Sequence, residues 1–262
     1  MSGKEETREQ IRKKYSKIAL KGGEDCGCSS GCCGAKPRLD VKEITKNLGY
    51  SDDDLSNMPN QVNMGLGCGN PLAIASLKEG ETVLDLGSGG GFDCFLARRK
   101  VGESGHVIGI DMTPEMIKLS RENARKSKVA NVEFRLGEIE HMPVADGVVD
   151  VIISNCVINL SVEKEKVFKE AYRVLKTGGR ICVSDVVATA ELPEELKKNI
   201  AMLTGCIAGA EYVENLRAML TNAGFKNIRM TPKDNSREIL SSWAPGKGVE
   251  NYVASYIIEA EK

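Results

Sequence analysis

The spacing of apolar and polar positions divides the chain into three parts. Residues 5–20 carry apolar side chains at helical spacing among many charges, which predicts an amphipathic helix. Between residues 72 and 190, short β-branched runs alternate with helical patterns, as in a series of βαβ units. The predicted strands are 81–86, 106–110, 132–136, 149–154 and 180–186, and the predicted helices are 72–77, 92–101, 114–127 and 163–175.

This alternation predicts an α/β fold with a doubly wound, mostly parallel sheet. Residues 1–71 are expected to form N-terminal helices and a cysteine-rich arm, and residues 72–190 the core. Residues 191–262 form a C-terminal region that completes the sheet. Within it we predict a helix from Pro193, a helix at 212–223, and strands at Asn227–Met230 and Tyr252–Glu259.

A glycine-rich stretch follows the first predicted strand. Residues 82–86 are Thr-Val-Leu-Asp-Leu, residues 87–91 are Gly-Ser-Gly-Gly-Gly, and a helical pattern begins at Phe92. Glycine is needed where the backbone takes a positive φ or where a ligand comes close. Ligands of open α/β sheets bind outside the carboxyl ends of the strands. The stretch therefore predicts the floor of a nucleoside-cofactor site.

The residues around these glycines narrow the class of cofactor. A dinucleotide fingerprint would need its third glycine at Phe92, and the lysine and hydroxyl of a P-loop are missing. Asp85 precedes the glycines and suits a cationic amino group, while Asp111 ends the second strand and could accept both ribose hydroxyls. This pair of acids resembles the S-adenosylmethionine site of class I methyltransferases. The alternative is a strand, turn and helix whose glycines serve packing alone.

The ends of the third and fourth strands add further candidates. Glu138 could accept the adenine amino group while a backbone N–H at or beside Ile139 reads a ring nitrogen, and an exposed acidic turn is the alternative. Cys156 follows the fourth strand, near the expected methyl donor, although it could also be a buried structural thiol. The predicted cofactor-binding residues are Asp85, Gly87, Ser88, Gly89, Gly91, Asp93, Asp111, Met112, Glu138, Ile139, Glu140 and Asn155.

Composition and charge exclude several classes of protein. The 262 residues carry a net charge of -1, which implies no nucleic-acid or anionic-membrane partner. No apolar run is long enough to span a bilayer, and the polar N-terminus lacks a secretory-signal pattern, so we expect a cytoplasmic protein. Nine cysteines in such a chain predict reduced thiols with metal or redox chemistry.

Two groups of cysteines have contrasting surroundings. Cys94 and Cys182 fall inside a predicted helix and a predicted strand, and we expect both to be buried structural thiols. Four others lie within eight residues in a stretch of small residues, where they could bind a soft ion or form a mobile redox arm. A linker with incidental cysteines is the alternative. These four are Cys26, Cys28, Cys32 and Cys33.

The remaining thiols, Cys68, Cys156 and Cys206, lie on separate segments that could converge over one methyl-donor site. Zinc usually takes four ligands, or three and an open position, from closely spaced cysteines and histidines. Here the spacing is wide and the chain has two histidines. Three thiolates suit trivalent arsenic, a thiophilic centre with a lone pair.

The motifs together resemble those of arsenite S-adenosylmethionine methyltransferases. The resemblance runs from about Cys32 to Gly224, and its most specific element is Ser154-Asn-Cys-Val-Ile-Asn-Leu together with Cys68 and Cys206. The glycine stretch is shared by the whole methyltransferase class and is less specific. Supporting motifs are Gly65-Leu-Gly-Cys-Gly, Asp85-Leu-Gly-Ser-Gly-Gly-Gly-Phe-Asp-Cys, Gly109-Ile-Asp-Met-Thr and Leu192-Pro-Glu-Glu.

The resemblance implies a Rossmann-like core, a C-terminal arsenic-binding region and S-adenosylmethionine as the methyl donor. It implies that Cys156 and Cys206 hold arsenic throughout, with Cys68 as a third ligand. It further implies a disulfide between Cys68 and an upstream cysteine, which matches either Cys32 or Cys33, reopened by a thioredoxin-like or glutathione reductant. The substrate would be arsenite or its thiol conjugates. Cys26 and Cys28 depart from the family pattern of one upstream thiol.

Two other functions remain open from the sequence. A class I methyltransferase for a small organic acceptor would not need the three converging thiols. A thiol-rich metalloid-binding protein would not need Asp85 and Asp111.

Overall fold

The computed structural model of the protein describes residues 3–20, 41–56, 58–59, 62–197, 202, 206–243 and 246–262. The helices are α1 (Gly3–Leu20), α2 (Val41–Asn47), α3 (Asp52–Leu55), α4 (Phe92–Val101), α5 (Pro114–Lys126), α6 (Lys164–Val174), α7 (Glu194–Lys197), α8 (Val213–Ala223) and α9 (Ser236–Trp243). The strands are β1 (Thr82–Leu86), β2 (His106–Asp111), β3 (Val132–Leu136), β4 (Val149–Asn155), β5 (Leu175–Ala188), β6 (Glu211–Tyr212), β7 (Lys226–Pro232) and β8 (Val253–Glu261).

The described strands form one sheet, in the order β3-β2-β1-β4-β5-β8-β7, with β6 beside β5. β1 pairs in parallel with β2 and β4, so the carboxyl ends of these strands lie at one edge. β8 runs antiparallel between β5 and β7. The predicted doubly wound, mostly parallel sheet is confirmed, and the C-terminal region adds its strands to the same sheet.

Successive residues of the central strands pack into different hydrophobic clusters. Val83 and Val107 belong to one buried cluster, whereas Leu84 and Ile108 belong to another. Side chains of a strand alternate between its two faces, so both faces of the sheet are covered. This double burial explains why the central strands are almost continuously apolar.

Two predicted boundaries are wrong. The helix predicted at 72–77 is a single 3-10 turn, Pro71–Ala73, in which the Asn70 side chain accepts a hydrogen bond from Ala73 N at 3.1 Å. β5 begins at Leu175 rather than near 180. There Leu175 pairs with Val149 of β4, and Gly178 N donates to Lys262 O at 3.0 Å, so the earlier start depends on partners that are distant in the sequence.

α1 packs against α5, near the edge of the sheet where β1 and β2 end. Ile18 of α1 is buried with Met64 and Met116. Among the helices described, none is both long and apolar enough to cross a membrane. The cysteine-rich arm that holds Cys26, Cys28, Cys32 and Cys33 lies outside the described residues.

Candidate functional site

The glycine loop after β1 has the backbone that its sequence predicts. Gly87, Gly89 and Gly91 take φ values of 70°, 51° and 97°. A Cβ on Gly91 would stand 2.7 Å from the Phe134 ring, so glycine is required there both for conformation and for space. Beside these glycines, the Ser88 hydroxyl is buried and has no hydrogen-bond partner among the described residues. An unpartnered buried hydroxyl is costly, and a bound ligand would supply its partner.

Three carboxylates surround this loop. Asp85 accepts a hydrogen bond from the Cys94 thiol at 3.3 Å, and Asp93 accepts one from the Tyr50 hydroxyl at 2.6 Å. Asp111 accepts the backbone N–H groups of Gly89 and Thr113, at 3.0 and 2.8 Å. Within the described part of the chain, no ion pair neutralises any of the three.

Burial raises the pKa of all three carboxyls. The pKa of Asp85 lies well above its usual range because of burial and the nearby Asp93, and that of Asp93 is raised by burial to about 6. The pKa of Asp111 is raised by burial and partly lowered by the N–H groups of Thr113 and Gly89. Buried acids without a counter-ion form a pocket that suits a cationic ligand. S-adenosylmethionine, with its sulfonium and ammonium groups, is a ligand of this kind.

Acids after β3 contact α1. Glu138 accepts from Arg12 at 3.3 Å and lies 3.9 Å from Arg8, and Arg8 also binds Glu163 at 2.7 Å and Glu140 at 3.6 Å. Glu138 is therefore held by arginines of α1 rather than lying in a free acidic turn. Contact between Glu138 and adenine stays a prediction. Ile139 is buried between the two acids, and Met112, directly after β2, is partly buried.

The predicted arsenic ligands lie at the same edge of the sheet. Cys68, Cys156 and Cys206 belong to one buried cluster. Cys68 and Cys156 are joined in a disulfide with a Cα–Cα distance of 5.9 Å, and the Cys206 thiol is free and donates to the Cys156 carbonyl at 2.7 Å. The resemblance implied Cys32 or Cys33 as the partner of Cys68. In the described structure the partner is Cys156, since the loop before β1 lies against the end of β4.

Backbone conformation sets Cys156 and Cys206 apart from other residues. Their φ values are 58° and 63°, in the left-handed region that few non-glycine residues occupy. Such conformations persist where the surroundings enforce them and are common at functional sites. Cys94 and Cys182, in contrast, are buried at 0% and 2% exposure in regular structure, which confirms the prediction for these two thiols.

Asp185 is a member of the site that the sequence reasoning missed. One of its carboxylate oxygens lies within 4.8 Å of the sulfurs of Cys68 and Cys156. Burial raises the pKa of Asp185 to about 6, while the N–H groups of Val186 and Asn159 lower it in part. The signal was present, since Asp185 lies toward the carboxyl end of β5 as Asp85 and Asp111 do on their strands.

Comparison with known proteins agrees with this geometry. A family model described as a methyltransferase domain matches residues 77–224. An arsenite methyltransferase from Halobacterium salinarum is 51% identical over 265 residues, covering 98% of this chain and 67% of that protein. The chain belongs to the arsenite methyltransferase family.

Other relatives extend the same family relationship. An arsenite methyltransferase from Homo sapiens is 40% identical over 169 residues, which cover 61% of this chain and 44% of that protein. The crystal structure of an arsenic(III) S-adenosylmethionine methyltransferase from Chlamydomonas reinhardtii matches with a TM-score of 0.63 at 31% identity, over 87% of this chain and 75% of that chain. The present chain thus spans two thirds of the first relative and less than half of the human one.

Membership in the arsenite methyltransferase family accounts for the class I methyltransferase fold. It does not by itself assign the residues that hold residues 67–69, the segment around Cys68 that we call the thiol loop. Asn155, predicted as a cofactor contact, donates both amide hydrogens to protein, at 3.1 Å to the Tyr50 hydroxyl and at 2.7 Å to the Gly69 carbonyl. Tyr50 carried no motif in the sequence and is recognised only through these contacts.

Proposed function

We propose that this protein transfers methyl groups from S-adenosylmethionine to trivalent arsenic held by cysteine thiolates. The observation that carries the proposal is the position of the buried thiol cluster. Cys68, Cys156 and Cys206 lie at the carboxyl edge of the sheet, which also carries the buried acids of the glycine loop. This proximity supports a donor and a thiol-bound acceptor in one site.

Arsenic would be held by the thiolates of Cys68, Cys156 and Cys206. The Cys68–Cys156 disulfide must be reduced first, because a disulfide sulfur cannot serve as a thiolate ligand. Burial, together with the nearby Asp185, raises the pKa of the Cys206 thiol, so this thiol is protonated before arsenic binds. Arsenic–sulfur bond formation would displace that proton.

The acids and glycines of the loop would hold the donor. A cation beside Asp85 and Asp93 would offset the burial that raises their pKa and so favour their charged forms, and the backbone-bound carboxylate of Asp111 would accept hydroxyl groups. When bound, S-adenosylmethionine supplies an electrophilic methyl group for the arsenic lone pair. The contribution of the protein is orientation and exclusion of water.

Methyl transfer leaves arsenic oxidised by two electrons, so a thiol pair has to return them. We propose that Cys68 forms a disulfide in this step, with Cys32 or Cys33 as the partner that the family resemblance implies. The described structure instead pairs Cys68 with Cys156, and Cys32 and Cys33 lie outside it. A thioredoxin-like dithiol or glutathione would reopen the disulfide, in a compartment such as the cytoplasm that keeps thiols reduced.

Arsenic speciation after incubation with arsenite, S-adenosylmethionine and a thiol tests the proposal. Cys156→Ser and Cys206→Ser should abolish all methylation, because a serine hydroxyl is a poor ligand for a soft centre. Cys68→Ser should fail on arsenite yet methylate monomethylarsenite, which needs two thiolates. Cys182→Ala, which removes a buried thiol in β5, should keep both activities.

Three results would count against this division of roles: loss of both activities in Cys68→Ser, retention of monomethylarsenite methylation in Cys156→Ser, or native protein that leaves arsenite unmethylated. The last result, combined with methylation of an organic acceptor, would favour the organic-acceptor alternative.

A further inference from the structure

A chain of hydrogen bonds connects the glycine loop to the thiol loop. It begins at Asp93, which lies in the first turn of α4, the helix that starts directly after Gly91. The Tyr50 hydroxyl donates to Asp93 Oδ1 at 2.6 Å, and Asn155 Nδ2 donates to that hydroxyl oxygen at 3.1 Å. Tyr50 is 4% exposed and Asp93 8%, so these bonds are shielded from water.

Asn155 continues the chain onto both sides of Cys68. Cys68 N donates to Asn155 Oδ1 at 2.9 Å, and Asn155 Nδ2 donates to the Gly69 carbonyl at 2.7 Å. Gly67, with a φ of 119°, allows this approach, because a Cβ there would stand 2.7 Å from the Asn155 carboxamide. One side chain at the end of β4 thus bonds to the backbone on both sides of Cys68.

The opposite side of the thiol loop is attached to the C-terminal part of the sheet. The Cys68 carbonyl accepts from the Ser255 hydroxyl at 2.9 Å and from Lys233 Nζ at 3.5 Å. Lys233 Nζ also donates to the Leu48 carbonyl at 3.1 Å. Among the described residues, no hydrogen bond joins Ser255, Lys233 or the Leu48 carbonyl to the glycine loop. The link between that loop and Cys68 therefore runs through Asn155, which meets Asp93 both through the Tyr50 hydroxyl and by its own amide.

We infer that Tyr50 and Asn155 are positioning residues that set the Cys68 sulfur according to the occupancy of the glycine loop. The inference rests on the proposed function, in which Cys68 is an arsenic ligand. A cationic ligand beside Asp93 would hold its carboxylate in the charged state and strengthen the bond from Tyr50. Through Asn155, a stronger bond restricts the Cys68 backbone. Cofactor binding then prepares the third thiol for arsenic.

The test measures how fast Cys68 reacts with N-ethylmaleimide in reduced native protein, by peptide mass spectrometry, with and without S-adenosylmethionine. In the native protein the ligand should slow alkylation of Cys68 by about tenfold or more, which is the lower end of the range expected of one hydrogen bond to a charged group. Tyr50→Phe keeps the ring and its edge contact with Phe92, at 5.0 Å between centroids, and should lose most of this slowing.

Tyr172→Phe is the matched control, because Tyr172 makes a similar edge contact with Phe225, at 5.4 Å, far from the thiol loop. It should keep the native response. Alkylation of Cys182 in the same samples reports general loosening of the fold. Tyr50→Phe should leave the Cys182 rate unchanged. Its affinity for S-adenosylmethionine should fall by no more than the factor lost from the Cys68 response, because the coupling is reciprocal.

Three results would overturn the inference. They are a native Cys68 alkylation rate that does not change with the ligand, a Tyr50→Phe variant that keeps the native response, and a rise in Cys182 alkylation in that variant equal to the rise for Cys68. No arsenic is present in this experiment. A failure of arsenic methylation would instead appear in the speciation assay, so the two proposals can fail separately.

Discussion

At the scale of single residues, uncompensated buried acids determine what the pocket can bind. Asp85, Asp93 and Asp111 lie around a glycine loop, and none has an ion-pair partner in the described chain. Retaining such groups destabilises the ligand-free fold, because burial disfavours their charged forms. A cationic ligand recovers this free energy on binding. The acids therefore favour S-adenosylmethionine over a pyrophosphate cofactor.

The raised pKa of Asp93 predicts a pH-dependent affinity. Above its value of about 6 the carboxyl is ionised and attracts the cationic ligand, and below it the carboxyl is neutral. The affinity for S-adenosylmethionine should therefore decrease as the pH falls from 7 to 5, by up to about tenfold per pH unit below the pKa. Isothermal titration across this range measures it, and Asp93→Asn should flatten the profile. A flat native profile would contradict the assignment of Asp93.

At the scale of elements, the local sequence pattern predicted the helices and strands whose bounds depend on residues nearby in the sequence. α4 has the predicted bounds, 92–101, because its glycine start and apolar spacing are both local signals. The start of β5 could not be predicted, because its partners there, Val149 of β4 and Lys262, are both distant in the sequence. The docking of α1 on the acids after β3 could not be predicted from local pattern either, because Arg12 and Glu138 are 126 residues apart.

α1 covers the acids after β3 through Arg8, whose partners are Glu138, Glu140 and Glu163. Hydrogen bonds from Lys166 and Arg8 lower the pKa of Glu163 to about 2, so the ion pairs persist at neutral pH. Arg8→Ala should therefore release α1. The backbone amides of α1 should then exchange with deuterium faster, while the exchange rates of β1 and β4 stay unchanged. The affinity for S-adenosylmethionine should fall. High salt should act in the same direction on the native protein.

Lys13→Ala is the control for this experiment, since Lys13 pairs only with Glu9 one turn earlier on the exposed face of α1 in the described structure. Its exchange should match that of the native protein. If Arg8→Ala leaves the exchange of α1 unchanged, the apolar contacts of Ile11 and Ile18 suffice to dock the helix, and the arginine does not fasten it.

At the scale of the whole molecule, the sheet explains which parts of the site could be predicted. Asp85, Asp111 and Cys156 each end a strand or follow one, so the rule that ligands bind at carboxyl ends located them from sequence. Tyr50 could not be located in this way, because it meets Asn155 across 105 residues and belongs to no strand. The disulfide partner of Cys68 was likewise decided by tertiary packing.

The residues proposed to hold the methyl donor are separate from the thiols proposed to hold arsenic. We therefore predict that oxidation of these thiols changes arsenite binding but not cofactor binding. The Cys68–Cys156 disulfide removes two thiolates from the arsenic site, whereas Asp85, Asp111 and Ser88 lie outside the bonded pair. The experiment uses a variant in which Cys26, Cys28, Cys32 and Cys33 are replaced by serine, so that these thiols cannot hold arsenite. Its oxidised form should retain no arsenite but bind S-adenosylhomocysteine within about twofold of the reduced affinity, as expected for independent sites. Reduction with a phosphine, which is then removed, should restore arsenite binding without adding a competing thiol. Adding Cys182→Ala should change neither state. Stoichiometric retention of arsenite by this oxidised variant would show that Cys68 and Cys156 are not its ligands.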